Sequence, residues 1–382
     1  MAHFRTARVS KRPLLFLFLL SAAAQAQPFR EHTIATDLKG GYQVVLADLN
    51  KDGRPDIIAL ASGMTELVWF ENPSWERHVI ARDLKRMINV AAIDTDGDGI
   101  PELIVAHEFA NQAKNSIGIV SLLTHNGDPK QLWTVKEIDR LTTSHRLRIA
   151  NGLVINAALT GASAEAPDYR GHTPLVYYKP GEWKRQLISD ANEGVVHGIY
   201  VVDWDGKGRD DILTASFTGI HLYRQDRAGK WSRTQITAGN DSPWPKGGSS
   251  DVAVGKLGKQ RFLCAIEPWH GNEVVVYTSK GKSWRRNVID DKLVDGHTIV
   301  TADLDGDGRD EIIAGYRGQG RSLNLYRNTP AGWKRETLDN GGMAAAACAA
   351  GDLNGDKKID IVCIGSATTN LKWYENMTSR GQ

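Results

Sequence analysis

Cysteine is scarce in this chain, with three in 382 residues: Cys264, Cys348 and Cys363. An odd number, all in apolar strand-like stretches, excludes a disulfide framework and predicts three buried thiols, although Cys348 and Cys363 flank one hairpin and fall near one another. An excess of either charge sign is also missing. The 47 basic and 45 acidic residues leave a net charge of +2, which gives no drive toward nucleic acid or an anionic membrane. No segment sustains a three-to-four-residue apolar period, which excludes a helical fold. Only one long apolar run occurs, Leu14 to Ala24. It follows Arg5, Arg8, Lys11 and Arg12 and ends in the small-x-small site Ala24-Gln25-Ala26. This is the pattern of a secretory signal over residues 1–26, too short for a permanent membrane span. Its removal moves the net charge from +2 to −2 and leaves 27–382 as one domain. A secreted or periplasmic protein is expected, with no membrane insertion.

What the chain has in abundance is repetition. A tryptophan opens a short strand at Trp75, Trp133, Trp183, Trp231, Trp284 and Trp333, spaced about 50 residues apart. A copy lacking its Trp, REHTIATDL, begins at Arg30. Aromatic-ended strands (LVWFEN, LVYYKP, IHLYRQ, VVVYTS, LNLYRN, LKWYEN) form a second periodic marker. Each unit reads as strand, turn, strand, loop, strand, turn, strand. The pattern predicts an all-β, seven-bladed β-propeller of four-stranded antiparallel blades. The final unit has three strands and the chain opens on an orphan fourth, so the N-terminal strand is expected to complete the last blade and remove the open edge.

The third marker is an acidic turn between the first two strands of a unit. Complete copies are Asp48/Asn50/Asp52/Asp56, Asp94/Asp96/Asp98/Glu102, Asp303/Asp305/Asp307/Glu311 and Asp352/Asn354/Asp356/Asp360. Alternate carboxylates converge on one concavity, and hard oxygen ligands at this spacing suit structural Ca²⁺. A solvated turn closed by Asx hydrogen bonds is the competing explanation. In the fourth blade Lys207 takes the third ligand position, where its ammonium stands in for a cation. These turns resemble FG-GAP or VCBS repeats, which implies a propeller but leaves its activity open.

The acidic turn also sets a register. About six residues before its first acid the innermost strand begins, at the opposite face and around the axis. That position holds Tyr42, Ile88, His145, His197, Ser250, His297 and Ala346 in turn. Three imidazoles related by the repeat suit one central divalent ion, and equally suit acid, base and substrate-contact roles. Loops after the second strand return to the same mouth. They carry His107, Glu108, Arg170, His172, Glu267, Trp269, His270, Tyr316 and Arg317. His107, His270 and Tyr316 are candidates for proton transfer, and Arg317 for holding a carboxylate or enolate charge. Tyr42, Glu108, Arg170, His172, Glu267 and Trp269 are candidate substrate contacts, with Trp269 offering a flat face to a sugar ring. No organic cofactor is called for.

The segments IEPWHGNEVVVY, DGHTIVTADLDGDG and AGYRG narrow the resemblance. They look like the propeller domain of aldos-2-ulose dehydratases and the related seven-bladed rhamnose–glucuronate polysaccharide lyases. That resemblance implies a catalytic propeller performing β-elimination on a keto-sugar or a uronate-containing glycan, with a central metal ion. A non-catalytic glycan- or protein-binding adhesion propeller is the alternative. A hydrolase would need paired carboxylates across the mouth, for which Glu108 and Glu267 are the evident pair.

Overall fold

The computed structural model describes Met1 and residues 28–191, 193–281 and 283–378, so residues 2–26 of the expected signal lie outside the described residues. Seven four-stranded antiparallel sheets follow one another along the chain. Their innermost strands are Gly41–Ala47, Asn89–Ile93, Ser144–Ala150, Val196–Val202, Asp251–Leu257, Gly296–Ala302 and Ala345–Gly351, blades 1 to 7. The ring closes as the repeat count requires. Phe29–Ala35 pairs antiparallel with Leu371–Asn376, Phe29 opposite Asn376, as the outer strand of blade 7. Among the described residues no helix is long and apolar enough to cross a membrane.

Strand position within a blade explains strand composition. The second strands, such as Asp56–Ala61, Glu102–His107 and Asp360–Gly365, are buried along their whole length. Neighbouring blades cover both of their faces, so they read as unbroken apolar runs instead of alternating ones. The outer strands, such as Thr134–Arg140 and Trp231–Thr237, face solvent and are polar. The marker tryptophans at the head of these strands pack into the layers between blades. Trp133 joins Leu103, Val105 and Leu123 in the core shared by blades 1 and 2.

Blades are also stapled by a recurrent tyrosine–carboxylate pair. The hydroxyl of Tyr178 in blade 3 donates to Asp139 of blade 2 at 2.6 Å. Tyr326 of blade 6 donates to Asp290 of blade 5 at 2.7 Å, and Tyr374 of blade 7 to Asp339 of blade 6 at 2.8 Å. Arg185, Arg335 and Lys372 complete the three sets as cations on the same carboxylates. These tyrosines are the last aromatic of each aromatic-ended strand, so the second periodic marker is a device for inter-blade contact.

The cysteines correct the sequence reading. Cys348 and Cys363 lie directly opposite each other on adjacent strands of blade 7, with Cα atoms 4.1 Å apart, and form a disulfide. The register puts both side chains on one face, within bridging reach. Cys264 is the buried thiol that was expected.

The acidic turns sit at the far ends of the innermost strands. Their first acids are clamped on the turn backbone: Asp48 accepts from Gly53 N at 2.9 Å, Asp94 from Gly97 N at 2.7 Å, Asp303 from Gly306 N at 2.9 Å and Asp352 from Gly355 N at 2.7 Å. The ninth-position acid is buried and serves the hairpin itself. Asp56 accepts from Leu49 N and Asn72 N, both at 2.9 Å, and Asp360 does the same with Leu353 N and Asn376 N. Burial pushes these two carboxyls up to about 6.

Between those ends, the expected calcium ligands divide into two groups. Three ligand oxygens converge within 4.8 Å of one another only for Asp94/Asp96/Glu102 and Asp303/Asp305/Asp307, among the described residues. Asp52, Asp98 and Asp356 fall outside these sets. Their oxygens are spent on closing the turn. Asn50 accepts from Asp52 N at 3.1 Å, Asp52 from Arg54 N at 2.8 Å and Asp98 from Ile100 N at 2.7 Å. Asn354 accepts from Asp356 N at 3.1 Å and Asp356 from Lys358 N at 2.9 Å. The two asparagine amides also turn away, donating to Glu71 at 3.2 Å and to Glu375 at 3.3 Å. The same Asx hydrogen bonds close the turns of blades 2 and 6, from Asp98 N to Asp96 at 3.0 Å and from Arg309 N to Asp307 at 2.8 Å. In blade 6 the Arg327 guanidinium already meets Asp305 at 2.9 Å. In blade 4 Lys207 reaches Asp205 at 2.7 Å.

Candidate active site

The axis is built from bulges. In blades 1, 3, 4, 6 and 7 the pairing of the two inner strands skips one residue, between Gly41 and Gln43, Ser144 and Arg146, Val196 and Gly198, Gly296 and Thr298, and Ala345 and Ala347. The skipped residues are Tyr42, His145, His197, His297 and Ala346. A bulge re-aims one side chain out of the alternating pattern. Here it turns Tyr42 and three imidazoles onto the axis. The ring centroids of His145 and His197 are 5.1 Å apart, those of His197 and His297 5.0 Å, and those of Tyr42 and His297 5.4 Å.

His270 joins the group from the loop after the second strand of blade 5. Its Nε2 lies 3.2 Å from His197 Nε2. The ligand atoms of His197, His270 and His297 all fall within 4.8 Å of one another. This alters the expected triad: His270 takes the place assigned to His145, because His145 Nε2 is engaged by the Tyr42 hydroxyl at 2.8 Å.

The outward nitrogens of the triad are all committed. His197 Nδ1 donates to Ser250 O at 3.1 Å and His297 Nδ1 to Ala346 O at 2.5 Å. Both acceptors are carbonyls of the next blade at the same register position. His270 Nδ1 lies 2.9 Å from Asp295 Oδ1 and 3.2 Å from Arg317 Nη2. The carboxylate is nearer, so the proton faces Asp295. Each Nε2 therefore carries a lone pair directed at the axis. Burial, and after it the nearby guanidiniums, Arg146 for all three and Arg317 for His197 and His297, holds His145, His197 and His297 well below the ordinary imidazole value. Burial lowers His270 as well, against the pull of Asp295. The imidazoles are neutral at physiological pH. The Nε2 of His297 is buried with no hydrogen-bond partner among the described residues. Three neutral nitrogens, each backed by a fixed acceptor, are a donor set that fits a divalent transition metal.

Above this cluster opens a pocket of about 410 Å³, walled by Tyr42, Arg86, Phe109, His145, Trp269 and Arg317 among others. Trp269 packs edge to face against Tyr169 at 5.6 Å and beside Phe217 at 5.4 Å, so its plane is fixed. Arg86 forms an ion pair with Glu108 at the rim. Arg170 stacks over Trp244 at 4.8 Å, behind the aromatic wall. His172 is exposed, bonds Asp190 O at 2.6 Å and stays outside the pocket.

Four assignments change. His107, Glu267 and Tyr316 each end a second strand, and both faces of those strands are covered by neighbouring blades. His107 turns back to Ser121 Oγ at 3.0 Å. Glu267 is fully buried, accepting from Tyr277 at 2.6 Å, Ser249 at 2.8 Å and Arg286 at 2.9 Å. Tyr277 and Arg286 belong to blade 5 itself, so these contacts tie strands of one blade together, and the burial of Glu267 removes the carboxylate pair that a hydrolase would need. Tyr316 packs in the core between blades 5 and 6 with Ile266 and Leu293. The fourth change is Arg317, whose fork is already taken by Asp295 through Nε at 3.2 Å and Nη2 at 3.1 Å. Asp295 was missed. Its signal was present as the acid two residues before His297 in DGH.

Comparison with known proteins agrees with this architecture. Residues 117–280 match the aldos-2-ulose dehydratase β-propeller domain, and residues 48–105 and 303–363 match FG-GAP-like repeats. Two stretches of the seven-bladed propeller thus resemble FG-GAP repeats and a third resembles the dehydratase propeller. It is 28% identical over 239 residues to the aldos-2-ulose dehydratase of Phanerodontia chrysosporium, which spans 53% of this chain and 26% of that longer protein. Among solved structures, the WD40 β-propeller domain of Doa1 superposes with a TM-score of 0.55 at 14% identity, covering 92% of this chain and 99% of that one. Rhamnogalacturonan lyase YesW superposes with a TM-score of 0.54 at 13% identity, covering 94% and 77%. At these identities the two structures speak to the fold alone.

Proposed function

We propose that this chain is an exported carbohydrate-active lyase or dehydratase that performs β-elimination on a keto-sugar or uronate-containing glycan in the mouth pocket. The observation that carries the reading is the axial cluster: three neutral, lone-pair-bearing imidazoles beside a Tyr42–His145 hydrogen bond, under a fixed tryptophan wall. Similarity to a dehydratase propeller supports a carbohydrate substrate. The Cys348–Cys363 disulfide supports an oxidising compartment.

Elimination breaks a C–H bond next to a carbonyl or carboxyl group, forms a C=C bond and expels the β-oxygen as water or an alcohol. Tyr42, half-buried at the pocket floor, passes its hydroxyl proton to His145 Nε2 and takes the α-proton in its place, and one proton of this pair is returned to the departing β-oxygen, which leaves as water or an alcohol. Trp269 supplies an apolar face for the sugar ring and orients it. Asp295 fixes the His270 ring, and Arg317 neutralises Asp295 while lying beside the pocket. His197, His270 and His297 would hold a divalent ion, which when bound supplies positive charge against the developing enolate. On the opposite face, the Asp94/Asp96/Glu102 turn is our candidate for structural Ca²⁺. Thermal unfolding should shift upward with calcium in the parent protein and not in Asp96→Asn.

The reading is tested by incubating the protein with a panel of uronate-containing glycans and keto-sugars and following the ultraviolet absorbance of an unsaturated product. Turnover that falls roughly 10²–10⁴-fold in Tyr42→Phe supports it. Glycan binding without product across the panel identifies the adhesion-type alternative instead.

A further inference from the structure

The imidazole cluster divides the axial channel. Below it, on the side of the acidic turns, lies a second chamber of about 430 Å³, within the size range of small-molecule sites. Its walls mix apolar residues of the innermost strands, such as Val44, Leu46, Ala91, Val300 and Ala349, with polar and charged groups. Two guanidiniums of one strand, Arg146 and Arg148, line it. Arg146 is only 7% exposed. Among the described residues its guanidinium makes no hydrogen bond or ion pair; it lies 5.3 Å from the centroid of the Tyr42 ring, and Asp251 is the carboxylate that feels its charge. This is unusual within the molecule. Arg233, Arg286 and Arg335, each about a third exposed, all meet a buried carboxylate. A guanidinium taken out of water without an anion is costly, and unlike lysine it does not escape by losing its proton.

Arg148 is bonded only to neutral oxygens, Leu147 O at 2.8 Å and Asn89 Oδ1 at 3.3 Å. Burial lowers it to about 10, so it stays charged at neutral pH. The carboxylate that lines the chamber is Asp251, one of whose oxygens accepts from its own neighbour Val252 N at 3.0 Å. Among the residues that line the chamber, two cations against one anion leave a single net positive charge. We infer that the lower chamber is a binding site for a small carboxylate monoanion, gripped by Arg146 and Arg148. The planar fork of Arg146 matches a carboxylate, and the residual charge of one matches a monoanion better than a phosphate dianion. The inference concerns a site separate from the mouth and does not depend on elimination taking place there.

Calorimetric titration of the folded protein at fixed ionic strength tests it, with glucuronate, acetate, inorganic phosphate and glucose as probes. Glucuronate or acetate should bind and glucose should not. Arg146→Gln and Arg148→Gln should each weaken that binding at least tenfold, and Arg146→Lys should weaken it less. Unfolding midpoints of all variants establish that they are folded. Absence of carboxylate binding, or binding unchanged in Arg146→Gln and lost in Arg317→Gln, overturns the site; the second result would move the anion to the mouth. Phosphate binding more tightly than either carboxylate overturns the assignment of the ligand. Elimination activity is not a readout here, so failure of this site and failure of the proposed reaction are told apart.

Discussion

His197 and His270 aim their Nε2 atoms at one another across 3.2 Å. Both rings have their Nδ1 protons committed elsewhere, to Ser250 O and to Asp295. Two lone pairs at this distance repel unless a cation lies between or beside them. A proton is disfavoured, because burial and Arg146 already depress both imidazoles. A divalent ion has no such difficulty, since it gains a third nitrogen from His297.

Titration with Zn²⁺ or Mn²⁺ should therefore show one tight site per chain that is not an acidic turn. His197→Ala or His297→Ala should weaken it by more than roughly 100-fold, beyond the effect of losing a residue that stands behind a ligand. His145→Ala should change it less than about threefold, since that ring faces Tyr42. Equal losses in all three variants would restore the triad expected from the repeat alone.

Asp295 should behave as a positioning residue. Asp295→Asn keeps the shape but offers His270 either tautomer and leaves Arg317 without its anion. Metal affinity should fall about 10- to 100-fold, and turnover should fall with it. Excess metal should restore turnover in Asp295→Asn if positioning is its role. Failure of that rescue, with metal fully bound, would place Asp295 directly in the chemistry.

The repeat made the ring of blades and the axial register readable before any coordinates. An acidic turn, or in blades 3 and 5 the turn at Asn151 or Lys256 that has lost its acids, marks the end of each innermost strand, so counting back reaches the bulge that turns Tyr42, His145, His197 and His297 inward. The same count did not distinguish ligand from bystander. Whether His145 or His270 completes the triad depends on which ring meets the Tyr42 hydroxyl, and that contact joins residues 103 positions apart. The acidic turns show the same limit. Asn50 and Asp96 hold the same place in near-identical motifs and accept the same turn hydrogen bond, at 3.1 and 3.0 Å, yet of these two turns, among the described residues, three carboxylates converge only in that of Asp96. His107, Glu267 and Tyr316 were misplaced because the second strands are covered on both faces. Residues at their ends go between blades, whereas loop residues just beyond them, His270 and Arg317, reach the axis. Glu267 is also held within its own blade by Tyr277 and Arg286. That role was written in the aromatic-ended strands, but not in any local motif around Glu267 itself.

Trp269 is held between Tyr169 and Phe217, so it contributes to binding without needing to move. Trp269→Ala should raise KM about tenfold, equivalent to about 1.4 kcal/mol, with kcat changed little. A fall in kcat with KM unchanged would mean that the indole acts on the reacting geometry instead of on ground-state binding.

The staple at Glu193 gives a pH dependence that is independent of any metal. Glu193 is buried beside His221 and accepts from Arg233 Nε at 2.9 Å and from the Tyr223 hydroxyl. Burial alone would raise its carboxyl, but His221, Tyr223 and Arg233 together hold it at about 2, against 4.5 for a free glutamate. The folded state thus binds this proton more weakly than the unfolded chain. Stability from the group is fully present above pH about 4.5 and is lost as the pH falls toward 2. The gap corresponds to about 3 kcal/mol as an upper figure. Glu193→Gln should therefore lower the unfolding free energy by up to about that much at pH 7, and by less than half as much at pH 3. Urea unfolding at pH 7, 5 and 3 measures both. A deficit that stays constant across the three values would show that Glu193 stabilises the blade 3–4 junction by packing and neutral hydrogen bonds, not by its charge.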